Sequence, residues 1–385
     1  QPLPMAFSAI AEQASKKSSR FDKINTVTSL LADKVRYMGD WRTIKGKYIA
    51  HNLHEIEQLQ LGDCKDFAVA TAAILNSIGF RAEVAMVLRG ITAYPMPNQS
   101  IVDIAHFNHA IVKVSGTDKE SEAGKEKDLW IDPTNFLSMA HDAFPDIQNK
   151  MALVLSEKTE SLELIPPSPP ESAKLNADIV YDLKSREVVL ANCNLKLEGL
   201  MATFLSGSAL NMSKEQISIN VISLLEDYAT ILSKEVTLPD LTSRIVGPLE
   251  FSSHYVKKNT ESMTNSGRLF MNPINLNILR WLTTIKDQAE DVIIGNATFP
   301  ATLQLKITVK NIRPTGNKPI SCQINSPWID ATIKTKYFAN KVEIYEVVKT
   351  KKAIISNQEI YTPDYIDTMK KIEKCFLNGQ GIVFQ

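Results

Sequence analysis

The chain has 385 residues, which is too long for one ordinary hydrophobic core, so its length predicts two or three domains. Its 43 Lys+Arg residues balance 43 Asp+Glu residues, and this zero net charge argues against a general nucleic-acid binder or an anionic-membrane binder. No apolar run approaches the ~20 residues that cross a bilayer, so no transmembrane segment is expected.

Three helices are predicted in the first 80 residues. Residues 20–37 carry apolar side chains at helical spacing, and a short helix is predicted within HNLHEIEQL, residues 51–59. Residues 64–78 are apolar on nearly every side, and Gly79 follows as a typical helix end. A helix without a polar face is predicted to lie buried inside a domain core.

Three strand-like segments follow these helices. They are residues 81–90, 106–116 and 128–134. A charged loop, TDKESEAGKEK, separates the second from the third and favours an antiparallel hairpin with an exposed tip. A buried helix followed by antiparallel strands predicts the α+β class.

Four prolines in IPPSPPES, residues 165–172, predict a stiff connector and a domain boundary. The predicted division is a core over residues 1–165, a proline-rich linker over 166–172 and a second part over 173–385. The second part alternates strand-like runs with helical segments and ends in a helix. It is therefore predicted to be β-rich with helical insertions.

The four cysteines are far apart in sequence and include no C-x-x-C pair, so a structural zinc site is not expected. His51 and His54 are spaced to bind a metal from one helix face, although a solvated surface pair is the commoner arrangement. No phosphate loop, dinucleotide fingerprint or calcium loop is present, so neither cofactor nor metal is predicted. Four cysteines are even in number but sparse for a disulfide scaffold, so their count leaves the redox compartment open.

Cys64 stands directly after Asp63 at the predicted start of the buried helix. With Asp63 as N-cap, the unsatisfied backbone N–H groups and the positive end of the helix dipole favour a thiolate at Cys64. A nucleophilic cysteine also needs a base, and the base needs an orienting acceptor. His109 in the second strand and Asp132 at the end of the third would emerge at one end of the hairpin, facing the helix.

Each of these residues also has an ordinary structural explanation. A cysteine at a helix start is more often structural than reactive, His109 can be a satisfied edge histidine, and Asp132 before Pro133 can be a turn residue. His106 and His109 could bind a metal together with Cys64, but no carboxylate–histidine spacing supports such a site. The prediction of a catalytic site therefore depends on the joint placement of the residues.

Three blocks of the chain resemble, in order, the signature blocks of the transglutaminase-like superfamily: GDCKDFAVATAAILNSIGFRAEVAMVL (62–88), FNHAIVKV (107–114) and LWIDPT (129–134). The wider pattern is similar to a bacterial multi-domain branch in which β-rich domains flank the core. The resemblance covers residues 15–165. The C-terminal part shares only the general alternation of strand-like runs and helical segments. The resemblance implies a papain-like cysteine-enzyme core, and it implies that a leading β-rich domain is missing upstream of Gln1.

The resemblance implies that Cys64 is the nucleophile, His109 the general base and Asp132 the acceptor that orients the imidazole. Superfamily members form a thioester from a protein or peptide amide. Water resolves it in proteolysis or deamidation, and an amine resolves it in transamidation. An upstream indole helps to hold the oxyanion in true transglutaminases. Trp41 is the upstream tryptophan here, with ordinary packing as an equal explanation, and Gln58 is an alternative amide donor.

Two functions from different classes are compatible with these observations. One is a cysteine enzyme acting on a protein or peptide substrate, and the other is an inactive binding or scaffold protein that retains the fold. Degenerate members usually lose a triad residue, so the presence of all three residue types favours the enzyme. Branch members are commonly exported, which implies the periplasm or cell envelope, or alternatively secretion. Substrate identity and oligomeric state are not predicted.

Overall fold

The structure is a computed structural model of the chain. It describes residues 2–39, 48–90, 106–116, 120–121, 124–125, 127–183, 185, 187–226, 229–258, 269–271, 300–315, 319–352, 355, 357–380 and 382–384. Both helices and sheets are present in quantity, so the chain belongs to the α+β class.

The chain forms two compact units. The N-terminal unit comprises Gln1–Ser168 together with Ser243–Val246, and the C-terminal unit comprises Pro169–Thr242 and Gly247–Gln385. The division after Ser168 lies inside the linker predicted over residues 166–172. Residues 243–246 differ from the predicted division, which assigned all of 173–385 to the second part.

The first half of the predicted linker is packed against the N-terminal unit. Ile165 and Ser168 are buried, and the Ile165 N–H donates to the Lys150 carbonyl at 2.9 Å. The Ser168 N–H donates to the Gln148 side chain at 3.0 Å. The proline-rich composition predicts an extended connector, but these hydrogen bonds hold residues 165–168 in place.

Four helices are described in the N-terminal unit: α1 Met5–Ser15, α2 Arg20–Lys34, α3 Leu53–Leu59 and α4 Cys64–Ser77. The prediction that residues 20–37 form one helix is wrong at its C-terminal end. Val35 takes an extended conformation, and Arg36–Tyr37 forms the short strand β1, parallel to β2, Leu61–Gly62. The Arg36 N–H donates to the Gln60 carbonyl at 2.8 Å, so strand pairing replaces the last helical turn.

Helix α4 packs on a five-stranded antiparallel sheet. Its strands are β3 Ala82–Val87, β4 His109–Val114, β7 Leu129–Ile131, β8 Met151–Val154 and β9 Glu163–Leu164, in the order β7-β4-β3-β8-β9. Two short strands, β5 Glu120–Ser121 and β6 Gly124–Lys125, pair within the loop that precedes β7. The predicted burial of α4 and the predicted antiparallel pairing of β4 with β7 are both confirmed.

Residues Ser243–Val246 are held in the N-terminal unit by Ser138. The Ser138 N–H donates to the Arg244 carbonyl at 2.8 Å, and the Val246 N–H donates to the Ser138 carbonyl at 3.2 Å. The Arg244 side chain also pairs with Asp33 at 2.7 Å. These contacts explain why the four residues group with the first unit although they are distant in sequence.

The C-terminal unit is built on an eight-stranded sheet with one parallel pair, β10–β15. The sheet order is β12-β13-β11-β10-β15-β18-β17-β16, and its strands are β10 Lys174–Asp182, β11 Val188–Glu198, β12 Ile231–Thr237, β13 Leu249–Lys258, β15 Ala301–Lys310, β16 Ser321–Asn325, β17 Ile329–Tyr337 and β18 Lys341–Thr350. A separate pair joins β14 Leu269–Met271 to β19 Ile382–Phe384. Buried and exposed residues alternate along β10 and β11, as expected for strands with one covered face.

Four helices are described in the C-terminal unit: α5 Leu200–Ala209, α6 Lys214–Ser223, α7 Asn357–Ile360 and α8 Pro363–Gln380. The helical segment predicted over residues 213–232 is only half helical, because Ile231 already belongs to β12. The helical segment predicted over residues 272–290 lies outside the described residues. Helix α5 follows Gly199, whose φ is +60° and where a Cβ would overlap the Ser172 carbonyl oxygen.

A disulfide joins Cys322 on β16 to Cys375 on α8, while Cys64 and Cys193 are free thiols. The disulfide ties the last long helix to an edge strand of the large sheet, a link that the cysteine spacing had not predicted. Among the described residues, no helix combines the length and the apolar character needed to span a membrane.

Candidate active site

Two buried carboxylates hold the first turn of α4 at Cys64. Asp63 is the N-cap residue, and its side chain accepts from the backbone N–H groups of Lys65, at 3.0 Å, and of Asp66. Asp66 in turn accepts from the Asp63 N–H at 3.0 Å, which completes a capping box. A Cβ on Gly62 would lie 2.7 Å from the Asp66 Cβ, so the chain needs glycine beside this cap.

The Cys64 N–H is a donor of this first turn that no described residue accepts. The N–H groups of Lys65 and Asp66 are taken by the Asp63 carboxylate. The Phe67 N–H donates to the Asp63 carbonyl oxygen at 3.0 Å. Because the first N–H groups of a helix lack intrahelical acceptors, the Cys64 N–H can donate to an oxygen of a bound molecule. The thiol and this available backbone donor thus belong to the same residue.

His109 and Asp132 meet at one end of the β4–β7 pair. His109 is the first residue of β4, and Asp132 directly follows Ile131, which lies opposite Val112. The His109 Nε2 lies 2.9 Å from the Asp132 Oδ2. Both residues are buried, with exposed fractions of 5% and 4%. The hairpin predicted from the sequence therefore brings this histidine and this carboxylate together.

Cys64 is the other partner of the His109 imidazole. Burial of the ring lowers its pKa, but hydrogen bonds to Asp132 and Cys64 and the charges of these two groups raise the pKa of His109 to about 9. The imidazole therefore carries both protons at neutral pH. Since Nε2 faces Asp132, Nδ1 is the ring nitrogen that is available to the thiol.

Asp132 is fixed by contacts to both carboxylate oxygens. Its Oδ1 accepts from the Thr134 backbone N–H at 3.0 Å and from the Thr134 hydroxyl at 2.7 Å, while its Oδ2 faces His109. Burial raises the pKa of Asp132, but the hydrogen bond and charge of His109, the charge of Arg89 and the Thr134 hydroxyl outweigh it and lower the pKa. Asp132 is therefore an ionised acceptor whose orientation does not depend on His109 alone.

Arg89 is a site residue that the sequence analysis did not select. Its Nη1 lies 3.2 Å from the Asp132 Oδ2, and its Nε lies 2.5 Å from the Asp146 Oδ2. The Arg89 Nη2 also donates to the Asn135 side chain at 3.3 Å. A signal for it exists, because Arg89 follows the apolar strand β3 by two residues, and antiparallel pairing of β3 with β4 brings Val87 opposite His109.

Tyr37 is a second site residue that the sequence analysis did not select. It lies on β1 and pairs with Gly62, which stands two residues before Cys64. The Tyr37 ring centroid is 6.0 Å from that of Phe67. Tyr37 precedes Cys64 by 27 residues and carries no local signal for a site. Only the parallel pairing of β1 with β2 brings it to the start of α4.

The two predicted oxyanion donors have different outcomes. Trp41 lies outside the described residues. Gln58 lies on α3 with an exposed side chain, and no hydrogen bond joins it to Cys64 in the described part of the chain. The roles predicted for both residues stay predictions.

His51 and His54, which the sequence spacing paired, lie in different surroundings. The His51 ring lies 3.1 Å from the buried Asp66 carboxylate, and its backbone N–H donates to the same residue at 2.8 Å. His54 is exposed on α3. His51 therefore supports the capped start of α4. Over the residues that the structure describes, no group of three or more possible ligands is arranged to hold a metal ion.

Comparisons with known proteins gave a fold-level likeness only. No protein family matches the sequence, and no curated protein matches it either. A solved structure from Parabacteroides distasonis, named "putative protease", is similar with a TM-score of 0.50 and 10% sequence identity. The alignment covers 98% of this chain and 55% of that chain, so this chain spans about half the length of the neighbour.

Proposed function

We propose that this chain is a cysteine enzyme of transglutaminase-like fold that acts on protein or peptide amides through a thioester on Cys64. The observation that supports this most strongly is the His109 imidazole, which contacts both the Cys64 thiol and the buried Asp132 carboxylate. The roles are those of nucleophile, acid–base group and orienting acceptor.

The proposed chemistry uses these three residues in two stages. The Cys64 Sγ attacks the amide carbonyl carbon, a C–S bond forms, and the C=O electron pair moves to the oxygen. When the carbonyl re-forms, the C–N bond breaks and His109 gives a proton to the leaving amine. His109 then takes a proton from water, the resulting hydroxide attacks the thioester, and Sγ leaves as thiolate. An amine in place of water gives transamidation.

Hydrolysis is the first outcome that we would test. The name of the structural neighbour, "putative protease", suggests peptide bonds as the amides, and it applies to this chain only as part of this proposal. Deamidation of a glutamine side chain and transamidation follow from the same thioester. They differ only in which amide enters and whether water or an amine attacks.

An inactive scaffold protein is the alternative function. Against it stands the electrostatic cost of the site, because a buried carboxylate, a histidine with a raised pKa and a nearby arginine are retained together. Buried ionised groups with strongly perturbed pKa values cluster at active sites. A binding role alone gives no reason to keep this arrangement beside a free thiol.

We also propose that the protein works in an oxidising compartment, the periplasm or cell envelope, or after secretion. The Cys322–Cys375 disulfide supports this, because disulfides persist mainly outside the reducing cytosol. Non-reducing mass analysis of protein from the native compartment should find these two cysteines protected from alkylation. Full alkylation of both without a reductant would contradict the proposal.

The function is tested by incubating the protein with a peptide library and a primary amine, and by reading the products by mass spectrometry. Cleavage, deamidation and amine incorporation give different mass changes. Cys64→Ala and His109→Ala should abolish every product, and Asp132→Asn should leave a residual rate because Asp132 only orients the imidazole. Cys193→Ala removes a buried thiol of the C-terminal unit and is the control. Wild-type turnover in Cys64→Ala would end the proposal.

A further inference from the structure

Tyr37 lies against the first turn of the nucleophile helix. Strand β1 runs parallel to β2, with Tyr37 opposite Gly62, and β2 leads through Asp63 into Cys64. The Tyr37 ring packs near Phe67, one helical turn after Cys64, with 6.0 Å between the ring centroids. Phe67 is buried, whereas Tyr37 is 47% exposed, so the phenol remains partly open to solvent.

The charged groups of the site act on the pKa of Tyr37. Burial raises the pKa of Tyr37, and the negative charges of Cys64 and Asp63 raise it further. Asp132 acts in the same direction, whereas Arg89 lowers the pKa. The phenol therefore keeps its proton at neutral pH and has an O–H to donate. Together with the β1–β2 pairing and the Phe67 contact, these effects place Tyr37 beside the start of the nucleophile helix.

We propose that the Tyr37 O–H is the second oxyanion donor, acting beside the backbone N–H of Cys64. This inference rests on the proposed function and specifies one more residue of the same site. It gives to Tyr37 the role that the sequence analysis predicted for Trp41 or Gln58.

The chemistry needs such a group because the capped helix start occupies most of its own donors. The Asp63 carboxylate accepts from the N–H groups of Lys65 and Asp66, and within the first turn of α4 only the Cys64 N–H has no acceptor among the described residues. During attack by Sγ the C=O electron pair moves to the oxygen, and the oxyanion accepts one hydrogen bond from Cys64 and one from Tyr37. The Tyr37 proton is shared but not transferred, so the carbonyl re-forms without a further reactant.

The test compares two reactions of Cys64 that differ in whether an oxyanion forms. p-Nitrophenyl acetate acylates the thiolate through a tetrahedral intermediate, and the burst of p-nitrophenolate measures the rate. Iodoacetamide alkylates the same thiolate by displacement at a tetrahedral carbon, where no oxyanion develops. Tyr37→Phe should lower the acylation rate constant on the order of 100-fold, the usual effect of removing one oxyanion donor. The alkylation rate should stay within about twofold.

Two controls define what the comparison means. Cys64→Ala must abolish the burst, which assigns the acylation to Cys64. Tyr361→Phe changes an exposed tyrosine of the C-terminal unit and should alter neither rate. Because Tyr37→Phe retains the ring that packs near Phe67, its fold should be preserved, and circular dichroism checks this.

Each outcome decides a separate point. Equal acylation by wild type and Tyr37→Phe would overturn this inference and leave the proposed function standing. An equal loss in acylation and alkylation would also overturn it, because Tyr37 would then act on the thiolate and not on the oxyanion. A wild-type protein without any burst dependent on Cys64 would overturn the proposed function itself, and the inference with it.

Discussion

The Arg89 guanidinium lies 3.2 Å from the same Asp132 oxygen that His109 contacts at 2.9 Å. One buried carboxylate oxygen is therefore shared between a permanent cation and a titratable one. The arrangement keeps Asp132 ionised even when His109 is neutral, because a positive neighbour lowers the pKa of a carboxyl group. It also couples the end of β3 to the proposed catalytic residues.

The first prediction concerns this shared carboxylate. Arg89→Gln should lower the free energy of unfolding by about 1–2 kcal/mol, because Asp132 and Asp146 lose a partly buried partner. The pKa of His109 should rise, because a nearby positive charge that disfavours the imidazolium is removed. Urea unfolding measures the first effect, and NMR titration of the imidazole measures the second.

Arg81→Gln is the matched control for Arg89→Gln. Arg81 stands just before the same strand, but its side chain is exposed and lies 3.7 Å from Glu83. Its substitution should change the free energy of unfolding by no more than about 0.5 kcal/mol. It should leave the pKa of His109 unchanged. If Arg89→Gln behaves like Arg81→Gln, the guanidinium has no role in holding the site.

The second prediction concerns the selectivity of thiol alkylation. Iodoacetamide at neutral pH should label Cys64 and spare Cys193, because burial and the charge of Glu226 raise the pKa of Cys193 to about 12. Cys322 and Cys375 should react only after reduction. Peptide mapping by mass spectrometry measures the order of labelling. Preferential labelling of Cys193 in the folded protein would count against Cys64 as the reactive thiol.

The third prediction concerns the pH dependence of amide cleavage. His109 must carry its second proton to protonate the leaving amine, and its pKa is raised to about 9. The rate of amide cleavage should therefore fall as the pH rises through about 9, by roughly tenfold per pH unit above it. The measurement is kcat/KM on a cleaved peptide between pH 6 and 11.

An activated ester separates this protonation from other alkaline effects. p-Nitrophenolate leaves without a proton, so acylation by p-nitrophenyl acetate should not decline with the same profile. A parallel decline for ester and amide would show that deprotonation of His109 is not the cause. Direct titration of the imidazole with a midpoint near the ordinary value of 6.5 would contradict the raised pKa.

The fourth prediction concerns a buried glutamate in the C-terminal unit. Glu346 is 2% exposed, its Oε1 has no partner within the described structure, and its strand neighbours are Leu305 and Ile333. Burial raises the pKa of Glu346 to about 8. Because the folded state holds this proton more tightly than the unfolded state, stability should fall as the pH rises from about 4.5 through 8.

Glu346→Gln should remove this pH-dependent loss. At pH 7 the variant should be more stable than the wild type by up to about 3 kcal/mol, and the difference should vanish near pH 4. Glu343→Gln is the matched control on the same strand, where the carboxylate is partly exposed and pairs with Lys341. Urea unfolding at several pH values measures both. A wild-type stability that rises between pH 5 and 8 in step with Glu346 ionisation would refute the prediction.

The sequence by itself determined the elements whose signals are local. The Asp63–Cys64 cap, the buried helix α4 and the hairpin that carries His109 and Asp132 follow from capping preferences and apolar periodicity over short stretches. The predicted hairpin also put a histidine and a carboxylate at the same end of the sheet, because its two strands are joined by one connecting loop.

The tertiary structure decided the contacts between residues that no single element joins. Tyr37 reaches the site through a two-residue parallel pairing, and Arg89, two residues after β3, contacts Asp132, the residue directly after β7. Cys322 pairs with Cys375 although 53 positions separate them. Such contacts depend on how segments that are distant in sequence pack together. They therefore cannot be inferred from the spacing of residues along the chain.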